Sequence, residues 1–267
     1  MDTIQNTWCF HCGNQDWMKR GKTNDGRQRL KCKACGRSTT LNAVLPGQKR
    51  FKPEKLLPVL RKHALDLTNG EYYSLGVLMA DGGRKGSGNI DNMCLSITEG
   101  DSSMVEIVHR ELEFPNPIRH GTRYKENYTE HYCEISWSNK WAGPYWDTLG
   151  LVRNKTGNEV WLPYMDNWHF VRGFFDGDGC IYNGKRFRVE FYGASDIFLM
   201  NLHAFIQGHT LSGNNRKLYK KNKGAGDWYQ LYYGDKEARL IAELMYEDSN
   251  NLRLERKYNK YLEIKNE

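Results

Sequence analysis

Two segments of the chain are rich in apolar and small residues and end in Asp-Gly. They are residues 74–82 (SLGVLMADG) and 171–179 (VRGFFDGDG), which align without a gap and place Asp81 and Asp178 97 residues apart. Self-similarity at a fixed separation indicates an internal duplication. The pattern therefore predicts two related halves, each beginning with a helix that carries one acid near its end.

The segments that follow the two acids are also parallel, and their periodicity favours the same order of strands and helices. The predicted strands are 93–98, the hairpin 121–137, 187–192 and two segments around Gly224. The predicted helices are 102–114, 141–151, 197–207 with Ser195 and Asp196 as its cap, and 236–246. This order predicts an α+β chain with a sheet in each half.

Each acid-bearing helix has small residues four positions apart. Gly76 and Ala80 share one face of the first helix, and Gly173 and Gly177 share one face of the second. Faces without bulky side chains allow two helix backbones to approach closely. We therefore expect the two helices to pack against each other and to bring their acids together.

The position of the acids predicts their chemistry. A carboxylate at a helix C-terminus faces the negative end of the dipole, at a cost of some tenths to about 1 kcal/mol, and two such carboxylates repel each other. Mg²⁺ is the natural cation between carboxylate oxygens and water, and it suits phosphodiester hydrolysis. Gly82 and Gly179 are expected to end the helices in a left-handed conformation.

Two other interpretations of these segments are less consistent with the sequence. Either helix alone could be an ordinary core helix with an Asp-Gly cap, but the gapless repeat disfavours this for the pair. An EF-hand loop beginning at Asp176 is excluded, because its twelfth position is Phe187, which cannot ligate calcium.

The two segments resemble the double motif of the LAGLIDADG homing endonucleases, and the resemblance extends over about residues 70–264. It implies an α+β fold of two pseudo-symmetric αββαββα halves with antiparallel four-stranded DNA-binding sheets. It also implies that Asp81 and Asp178 are the catalytic, metal-binding acids. The first motif departs from the family pattern at Ser74 and at Met79, where an acid is common, and neither departure touches the metal-binding position.

The same resemblance implies further site residues. Ala80 and Gly177, which precede the acids, belong to the same site of two or three Mg²⁺ ions. Lys155 and Lys257 match places where the family often has a basic active-site residue, which could stabilise the charge on the reacting phosphate or polarise the attacking water. Alternatives for this basic residue after a small shift of register are Arg153, Arg256 and Lys260.

Basic residues are frequent on the predicted strands and hairpins of both halves. Such sheets can place alternate side chains against base edges and phosphates in the DNA major groove, where Arg suits guanine and Gln suits adenine. Any single one could be a solvated surface charge, but the set favours DNA contact. The candidates are Arg84, Lys85, Arg119, Arg123, Lys185, Arg186, Arg188, Arg216, Lys217, Lys220 and Lys221.

The N-terminal segment carries a separate cysteine motif. Cys9-x2-Cys12 and Cys32-x2-Cys35 have the four-thiolate spacing that binds one structural Zn²⁺. Gly36, after the second pair, is expected to turn the backbone with positive φ. The segment resembles the zinc ribbons at the N-termini of some bacterial transposases, although a purely structural ribbon remains the alternative.

Charge favours a DNA-binding ribbon. Residues 1–52 contain eleven Lys and Arg against three Asp, a balance of +8, whereas the whole chain carries only +7. A concentrated basic segment is the electrostatic signature of phosphate binding. The candidate DNA contacts, on a predicted hairpin around residues 24–26, are Arg20, Lys22, Arg27, Arg29 and Lys31.

Together these patterns predict the organisation of the chain. The predicted parts are a zinc ribbon at 1–45, a linker and short helix at 46–69, a first LAGLIDADG half at 70–157 and a second at 158–267. Of the remaining thiols, Cys94, Cys133 and Cys180 have no paired spacing and are interpreted as core residues.

The predicted function is site-specific, magnesium-dependent cleavage of both strands of DNA by a monomer without an obligate protein partner. An RNA maturase that binds its own intron and a catalytically silent DNA-binding regulator are the alternatives. No apolar run approaches the roughly 18 residues of a membrane span, and the N-terminus has no signal pattern. We therefore expect a cytoplasmic, nucleoid-associated location, or an organellar one if the gene lies in an intron.

Overall fold

A computed structural model of the chain describes residues 16–23, 28–40, 56–86, 90–210, 218–223 and 226–265. The chain divides into two compact units, Met1–Lys55 and Leu56–Glu267. None of the helices in these ranges has the length and apolar character that crossing a membrane requires.

The first unit contains a three-stranded antiparallel sheet. Its strands are β1 (Trp17–Lys22), β2 (Gln28–Cys32) and β3 (Ser38–Thr40), in the order β1-β2-β3. The predicted basic hairpin is confirmed, since Met18 pairs with Lys31 and Lys22 with Gln28. Buried Leu30 alternates with exposed Arg29 on β2, as a strand with one packed face requires.

The second unit is built from two halves with the predicted order of elements. The first half comprises α1 (Asn69–Ala80), β4 (Gly82–Lys85), β5 (Asp91–Thr98), α2 (Ser102–Glu111), β6 (Arg119–Tyr124), β7 (Thr129–Asn139) and α3 (Gly143–Thr148). The second comprises α4 (Trp168–Asp178), β8 (Gly179–Asn183), β9 (Phe187–Gly193), α5 (Asp196–Thr210), β10 (Tyr219–Lys223), β11 (Gly226–Gly234), α6 (Asp235–Tyr246) and α7 (Glu255–Lys265). The predicted α+β class and αββαββα halves are confirmed.

Each half contains a four-stranded antiparallel sheet with one packed face. The strand orders are β4-β5-β7-β6 and β10-β11-β9-β8. In the first sheet, Leu95 pairs with Ile135, and both are fully buried. In the second, Phe191 pairs with Leu231 in the same way. The residues between these positions point to the opposite face, which is polar, as is typical of antiparallel sheets packed on one side only.

The predicted short helix within 53–67 is wrong in its described part. Residues Pro58–Arg61 and Ala64–Asp66 form two separate 3-10 turns. Pro58 cannot donate a backbone hydrogen bond and clashes with a preceding helical turn, so it begins a turn instead of continuing a helix. The helix predicted at 141–151 is also shorter, because it is confined to Gly143–Thr148.

Helices α1 and α4 touch through their glycines, as the spacing of small residues predicts. A Cβ atom on Gly76 would lie 2.1 Å from the carbonyl oxygen of Phe170, and one on Gly173 would lie 2.0 Å from that of Tyr73. These distances leave no room for any side chain. The two backbones are therefore in direct contact across the centre of the unit.

Candidate active site

The two acids lie together at the adjoining ends of α1 and α4. Asp81 is the C-cap of α1, and Asp178 is the last residue of α4. A Cβ atom on Gly177 would lie 2.4 Å from the Ala80 Cβ and 2.7 Å from an Asp81 carboxylate oxygen. The missing side chain at Gly177 thus allows the carboxylate of one helix to reach the end of the other.

The proximity of the acids changes their proton affinity. Burial, followed by the charge of Asp81, raises the pKa of the Asp178 carboxyl to about 7. Asp81 is exposed on its outer side, but desolvation by the packed helix ends raises its pKa as well, against the charges of Lys155 and Lys257. The acids therefore form a pair whose second negative charge is unfavourable without a cation.

Two lysines cap the carbonyl ends of these same helices. The Lys155 ammonium donates hydrogen bonds to the carbonyl oxygens of Leu78 (2.9 Å), Met79 and Ala80 (2.7 Å) in α1. The Leu78 carbonyl also accepts from the Asp81 amide. The last carbonyls of a helix lack the regular i+4 amide partner, so a cation at this end supplies donors and opposes the dipole.

Lys257 caps the carbonyl end of α4. Its ammonium donates to the carbonyl oxygens of Phe175 (2.5 Å), Asp176 (2.9 Å) and Gly179 (2.6 Å). Burial lowers the pKa of both Lys155 and Lys257 to about 8, although carboxylates near each oppose the shift. Since each ammonium has only three protons to donate, the two lysines act on the acids through their charge and by fixing the helix ends.

The alternative basic residues have other partners. Arg153 donates to Asp91 at 2.9 Å, Arg256 forms a bidentate pair with Asp101 at 2.7 and 2.8 Å, and Lys260 donates to the carbonyl of Ile181 at 3.4 Å. Only Lys155 and Lys257 among these candidates donate to carbonyls at the two helix ends. The catalytic role assigned to them stays a prediction.

The expected left-handed caps are wrong. Gly82 is not among the glycines with positive φ, and Gly179 has φ −114° and ψ 167°, which is extended backbone. Each helix passes directly into a strand, β4 or β8, so no left-handed residue intervenes. Glycine is needed for space instead, since a Cβ on Gly82 would lie 2.4 Å from the Leu78 carbonyl oxygen and one on Gly179 would overlap Phe175.

A polar cavity opens beside Asp81. Its volume is about 240 Å³, and it extends from the acid to Ser96 and Arg123 on the polar face of the first sheet. Because a water molecule takes roughly 30 Å³ in the liquid, the cavity has room for several waters. It connects Asp81 with the sheet face that the sequence predicts to contact DNA.

No family model matches the sequence, and no curated protein matches it. Solved structures do match. The homing endonuclease I-WcaI, bound to its DNA recognition sequence, superposes with a TM-score of 0.50 at 12% identity, over 73% of this chain and 87% of that one. The chain has the LAGLIDADG homing endonuclease fold. A mesophilic variant of I-DmoI matches with a TM-score of 0.46 at 15% identity, over 67% of this chain and 97% of that one. The N-terminal LAGLIDADG domain of DUF199/WhiA matches with 0.42 at 11%, over 70% and 88%.

The first sheet of this LAGLIDADG fold presents three of the predicted DNA-contacting residues on its polar face. Lys85 pairs with Asn92, Arg119 with Glu134 and Arg123 with Glu130, which places all three basic residues on that face. Both arginines are exposed and donate to serine hydroxyls, at 2.7 Å for Arg119 and 2.6 Å for Arg123. They are thus held in place with much of each guanidinium still accessible.

Arg84 does not fit the predicted DNA contact. It pairs with Met93, which places it on the packed face, and its side chain is only 4% exposed. Its guanidinium donates to Asp91 (2.8 Å), Asp147 (2.5 Å) and the carbonyl of Leu151 (2.8 Å). This arrangement favours a structural role in the first half, because the donors already have partners within the protein.

The second sheet has a more aromatic polar face. Arg188 pairs with Tyr182 and lies 4.2 Å from the centre of its ring, and Lys185 and Arg186 are exposed in the adjoining turn. Lys220 pairs with Tyr229 on the other face and forms an ion pair with Asp227 at 2.8 Å. Lys221 lies on β10, and Arg216 and Lys217 are outside the described residues.

The first unit shows only part of the predicted zinc site. Cys32 is buried at the end of β2, Cys35 is exposed in the following turn, and Cys9 and Cys12 are outside the described residues. Gly36 has φ +73° and its amide donates to the Cys32 carbonyl at 3.0 Å, so the expected turn is confirmed. Within the part of the chain that the structure describes, no group of three or more His, Cys, Asp or Glu residues could hold a metal.

The predicted DNA contacts of the ribbon lie on its hairpin. Arg20, Lys22 and Arg29 are exposed and Lys31 is partly exposed, whereas Arg27 is outside the described residues. The expectation that the remaining thiols belong to the core is confirmed for Cys133, which is fully buried. It is wrong for Cys180, which is exposed because it pairs with Glu190 on the polar face of the second sheet.

Sequence reasoning overlooked two fully buried charged residues of α4, Arg172 and Asp176. The Asp176 carboxylate accepts hydrogen bonds from the Tyr73 hydroxyl (2.9 Å), the Tyr246 hydroxyl (2.9 Å) and the Leu254 amide (2.8 Å). Their signal in the sequence is two opposite charges four residues apart within an apolar helix. Nothing in the sequence indicates their distant partners.

Proposed function

We propose that the chain is a site-specific endonuclease that cuts both strands of double-stranded DNA in the presence of Mg²⁺. The observation that carries the proposal is the carboxylate pair Asp81 and Asp178, held at two helix ends in backbone contact, each end capped by a lysine. The fold supports it, because the similar protein I-WcaI is a homing endonuclease bound to its recognition sequence. One chain contains both acids, so we propose that it acts as a monomer.

The donor set of the pair fits magnesium. Carboxylate oxygens are the ligands that Mg²⁺ prefers, together with water and the phosphate of a substrate. Burial and then the negative charge of Asp81 raise the pKa of the Asp178 carboxyl, and a divalent cation would relieve the repulsion between the two acids. Asp81 and Asp178 would hold the ions, beside Ala80 and Gly177, and bound Mg²⁺ would supply an activated water and neutralise the leaving oxygen.

The chain's own residues would orient the substrate. Exposed Lys85, Arg119 and Arg123 on the first sheet, and Arg188 on the second, are suited to phosphates and to the acceptor edge of guanine. Lys155 and Lys257 keep two positive charges next to the acids, where negative charge increases during phosphodiester cleavage. We further propose that Cys9, Cys12, Cys32 and Cys35 bind one Zn²⁺ and that the ribbon contacts DNA beside the cleavage site.

The direct test is cleavage of the genomic DNA that surrounds the gene, with Mg²⁺ or with EDTA. We expect discrete fragments with short 3′ overhangs, as the family resemblance implies, and no cleavage in EDTA. Persistent cleavage in EDTA would refute the metal dependence. Specific binding without cleavage would favour a DNA-binding regulator, and binding to RNA alone would favour a maturase.

The ribbon makes a separate prediction. The triple variant Arg20→Gln, Lys22→Gln, Arg29→Gln should weaken DNA binding and should reduce the slope of log K against log salt by up to about 3, since each phosphate contact contributes about 0.9. The cleavage position should not change, because the acids lie in the other unit.

The matched control is Lys33→Gln. Lys33 belongs to the same unit but is paired with Asp16 at 3.0 Å, so its loss should alter affinity and salt slope much less. Filter binding or fluorescence anisotropy at several salt concentrations measures both quantities. Equal affinity and slope for the triple variant and the wild type would refute DNA contact by this hairpin.

A further inference from the structure

The two lysine caps are equivalent, but the segments that carry the lysines are held differently. Lys155 lies in an irregular segment, 151–162, between α3 and α4, whereas Lys257 lies in the first turn of α7. Both ammonium groups reach the carbonyl end of an acid-bearing helix. The internal duplication has therefore preserved the cap while changing its support.

In the first half, an ionic cluster holds the segment. Asp91 accepts from Arg84 at 2.8 Å and from Arg153 at 2.9 Å through the same carboxylate oxygen. Arg84 also donates to the carbonyl of Leu151, and Arg153 is two residues before Lys155. Burial would raise the pKa of the Asp91 carboxyl, but the two arginines hold it below its usual value. The segment is thus tied to the first sheet by charge.

In the second half, a buried hydrogen-bonded network holds the segment. Arg172 donates to the carbonyls of Met245 (2.6 Å) and Leu252 (2.6 Å), and Asp176 accepts from the amide of Leu254 (2.8 Å). Arg172 is 1% exposed and Asp176 is fully buried. The network fixes the chain between α6 and α7, three residues before Lys257.

Neither network has a counterpart in the other half. The positions 97 residues before Arg172 and Asp176 are Leu75 and Met79, and the position 97 residues after Arg84 is Ile181. Because none of these apolar side chains can form an ion pair, the two halves hold their lysine segments by different networks.

We infer that Arg84, Asp91 and Arg153 are positioning residues for Lys155, that Arg172 and Asp176 are positioning residues for Lys257, and that the two lysines therefore respond independently to perturbation. Any effect of these residues on DNA cleavage rests on the proposed function. Their effect on the position of the lysines does not, because it can be measured on the protein alone.

Salt should separate the two networks. Raising the ionic strength from about 0.1 to about 1 M shortens the screening length from about 10 to about 3 Å. The first cluster reaches solvent, since the side chains of Arg153 and Asp147 are 36% and 50% exposed. The second is enclosed, and buried groups are screened much less. Lys155 should therefore loosen in salt while Lys257 stays in place.

Amine labelling of the full-length protein, followed by mass spectrometry, tests this. Asp91→Asn should raise the labelling rate of Lys155 at least about fivefold, as expected for the loss of about one hydrogen bond, because Arg84 and Arg153 then lose the carboxylate that they share, while Arg84 keeps Asp147. Lys257 should not change. Asp176→Ala should raise the labelling rate of Lys257 and leave that of Lys155 unchanged. Asp176→Asn should keep Lys257 protected from the reagent, since the amide oxygen still accepts from the Leu254 amide.

The controls separate positioning from simple loss of stability. Glu71→Gln removes a buried carboxylate that accepts from Thr68 and Lys62 at the far end of α1, so it should destabilise the fold without selective labelling of either lysine. Exposed Lys236 serves as the internal reference for the reagent. The salt series on the wild type needs no variant and stands even if Asp176→Ala fails to fold. Equal responses of Lys155 and Lys257, in the variants or in salt, would overturn the inference.

A cleavage arm links the inference to the reaction. The substrate is a supercoiled plasmid that carries a site cut by the wild type. Asp91→Asn and Asp176→Ala should each slow the cutting of a different strand, so each variant should accumulate nicked circles, and the intact strand should differ between the two variants. Slowing of the same strand by both variants would also overturn the inference. Failure of the wild type to cut any DNA would instead refute the proposed function, and the labelling result would still decide how the lysines are positioned.

Discussion

Asp178→Asn should lower the cleavage rate by at least about a thousandfold and should at the same time stabilise the metal-free protein. The amide has nearly the same size as the carboxyl, so the packing of α4 against α1 is kept. It removes the charge of a partly buried carboxylate that faces Asp81. A gain in stability together with a loss of activity is the signature of an acid kept for function at a cost to the fold.

The pH dependence follows from the raised pKa of Asp178. A carboxyl whose pKa rises on folding, here from 3.8 to about 7, is protonated in the native protein at pH values where the unfolded chain has already lost the proton. Its contribution to stability is therefore present below about pH 4 and is lost as the pH rises towards 7. Wild type and Asp178→Asn should have equal stability near pH 4, and the variant should be the more stable protein at higher pH. The difference should be on the order of 2 kcal/mol at pH 8, a moderate value because solvent partly reaches the site and screens the charges.

Thermal unfolding from pH 4 to pH 8 in EDTA measures this difference. Adding Mg²⁺ should raise the unfolding temperature of the wild type and leave that of Asp178→Asn nearly unchanged, since a ligand stabilises only the state that binds it. Asp227→Asn is the control, because Asp227 is an exposed partner of Lys220 on an edge strand and should affect neither cleavage nor its pH profile. A variant less stable than the wild type at pH 8 would contradict the proposed repulsion.

Much of the fold could be predicted because its signals are local. The gapless repeat placed both acid-bearing helices, and the alternation at 93–98 and 187–192 marked the central strands β5 and β9, which the structure confirms. The spacing of Gly76 and Gly173 also predicted which helix faces meet. Period and residue size are properties of a single segment, so neighbours in the sequence are enough to reveal them.

Most of the misses depend on strand pairing or on partners distant in the sequence. The left-handed caps at Gly82 and Gly179 are wrong because each helix is followed by a strand, which forms by pairing with β5 or β9. The prediction that Arg84 contacts DNA is wrong because pairing with β5 sets its strand register, and this register turns the side chain towards Asp91. The buried hydrogen bonds of Asp176 could not be predicted, because its partners Tyr73 and Leu254 lie 103 and 78 residues away in the sequence.

Gly173→Ala should disrupt the contact between α1 and α4 on which the acid pair depends. The new Cβ would lie 2.0 Å from the Tyr73 carbonyl oxygen and 3.0 Å from the Val77 amide nitrogen. Both are backbone atoms, which cannot move aside as a flexible side chain can, so the helices must separate. We expect a loss of about 2–3 kcal/mol, seen as a fall of roughly 4–12 °C in Tm, and slower cleavage because Asp81 moves away from Asp178.

The decisive control is Gly208→Ala. Gly208 is also helical, in α5, but a Cβ there would meet nothing within 4 Å. Alanine should stabilise that helix by about 0.5–1 kcal/mol, because it loses less backbone freedom on folding than glycine. The same substitution thus has opposite signs at two helical glycines, and only the interface explains the difference. Stabilisation by Gly173→Ala as well would mean that the helices are not in backbone contact, and the geometric basis of the paired acids would be lost with it.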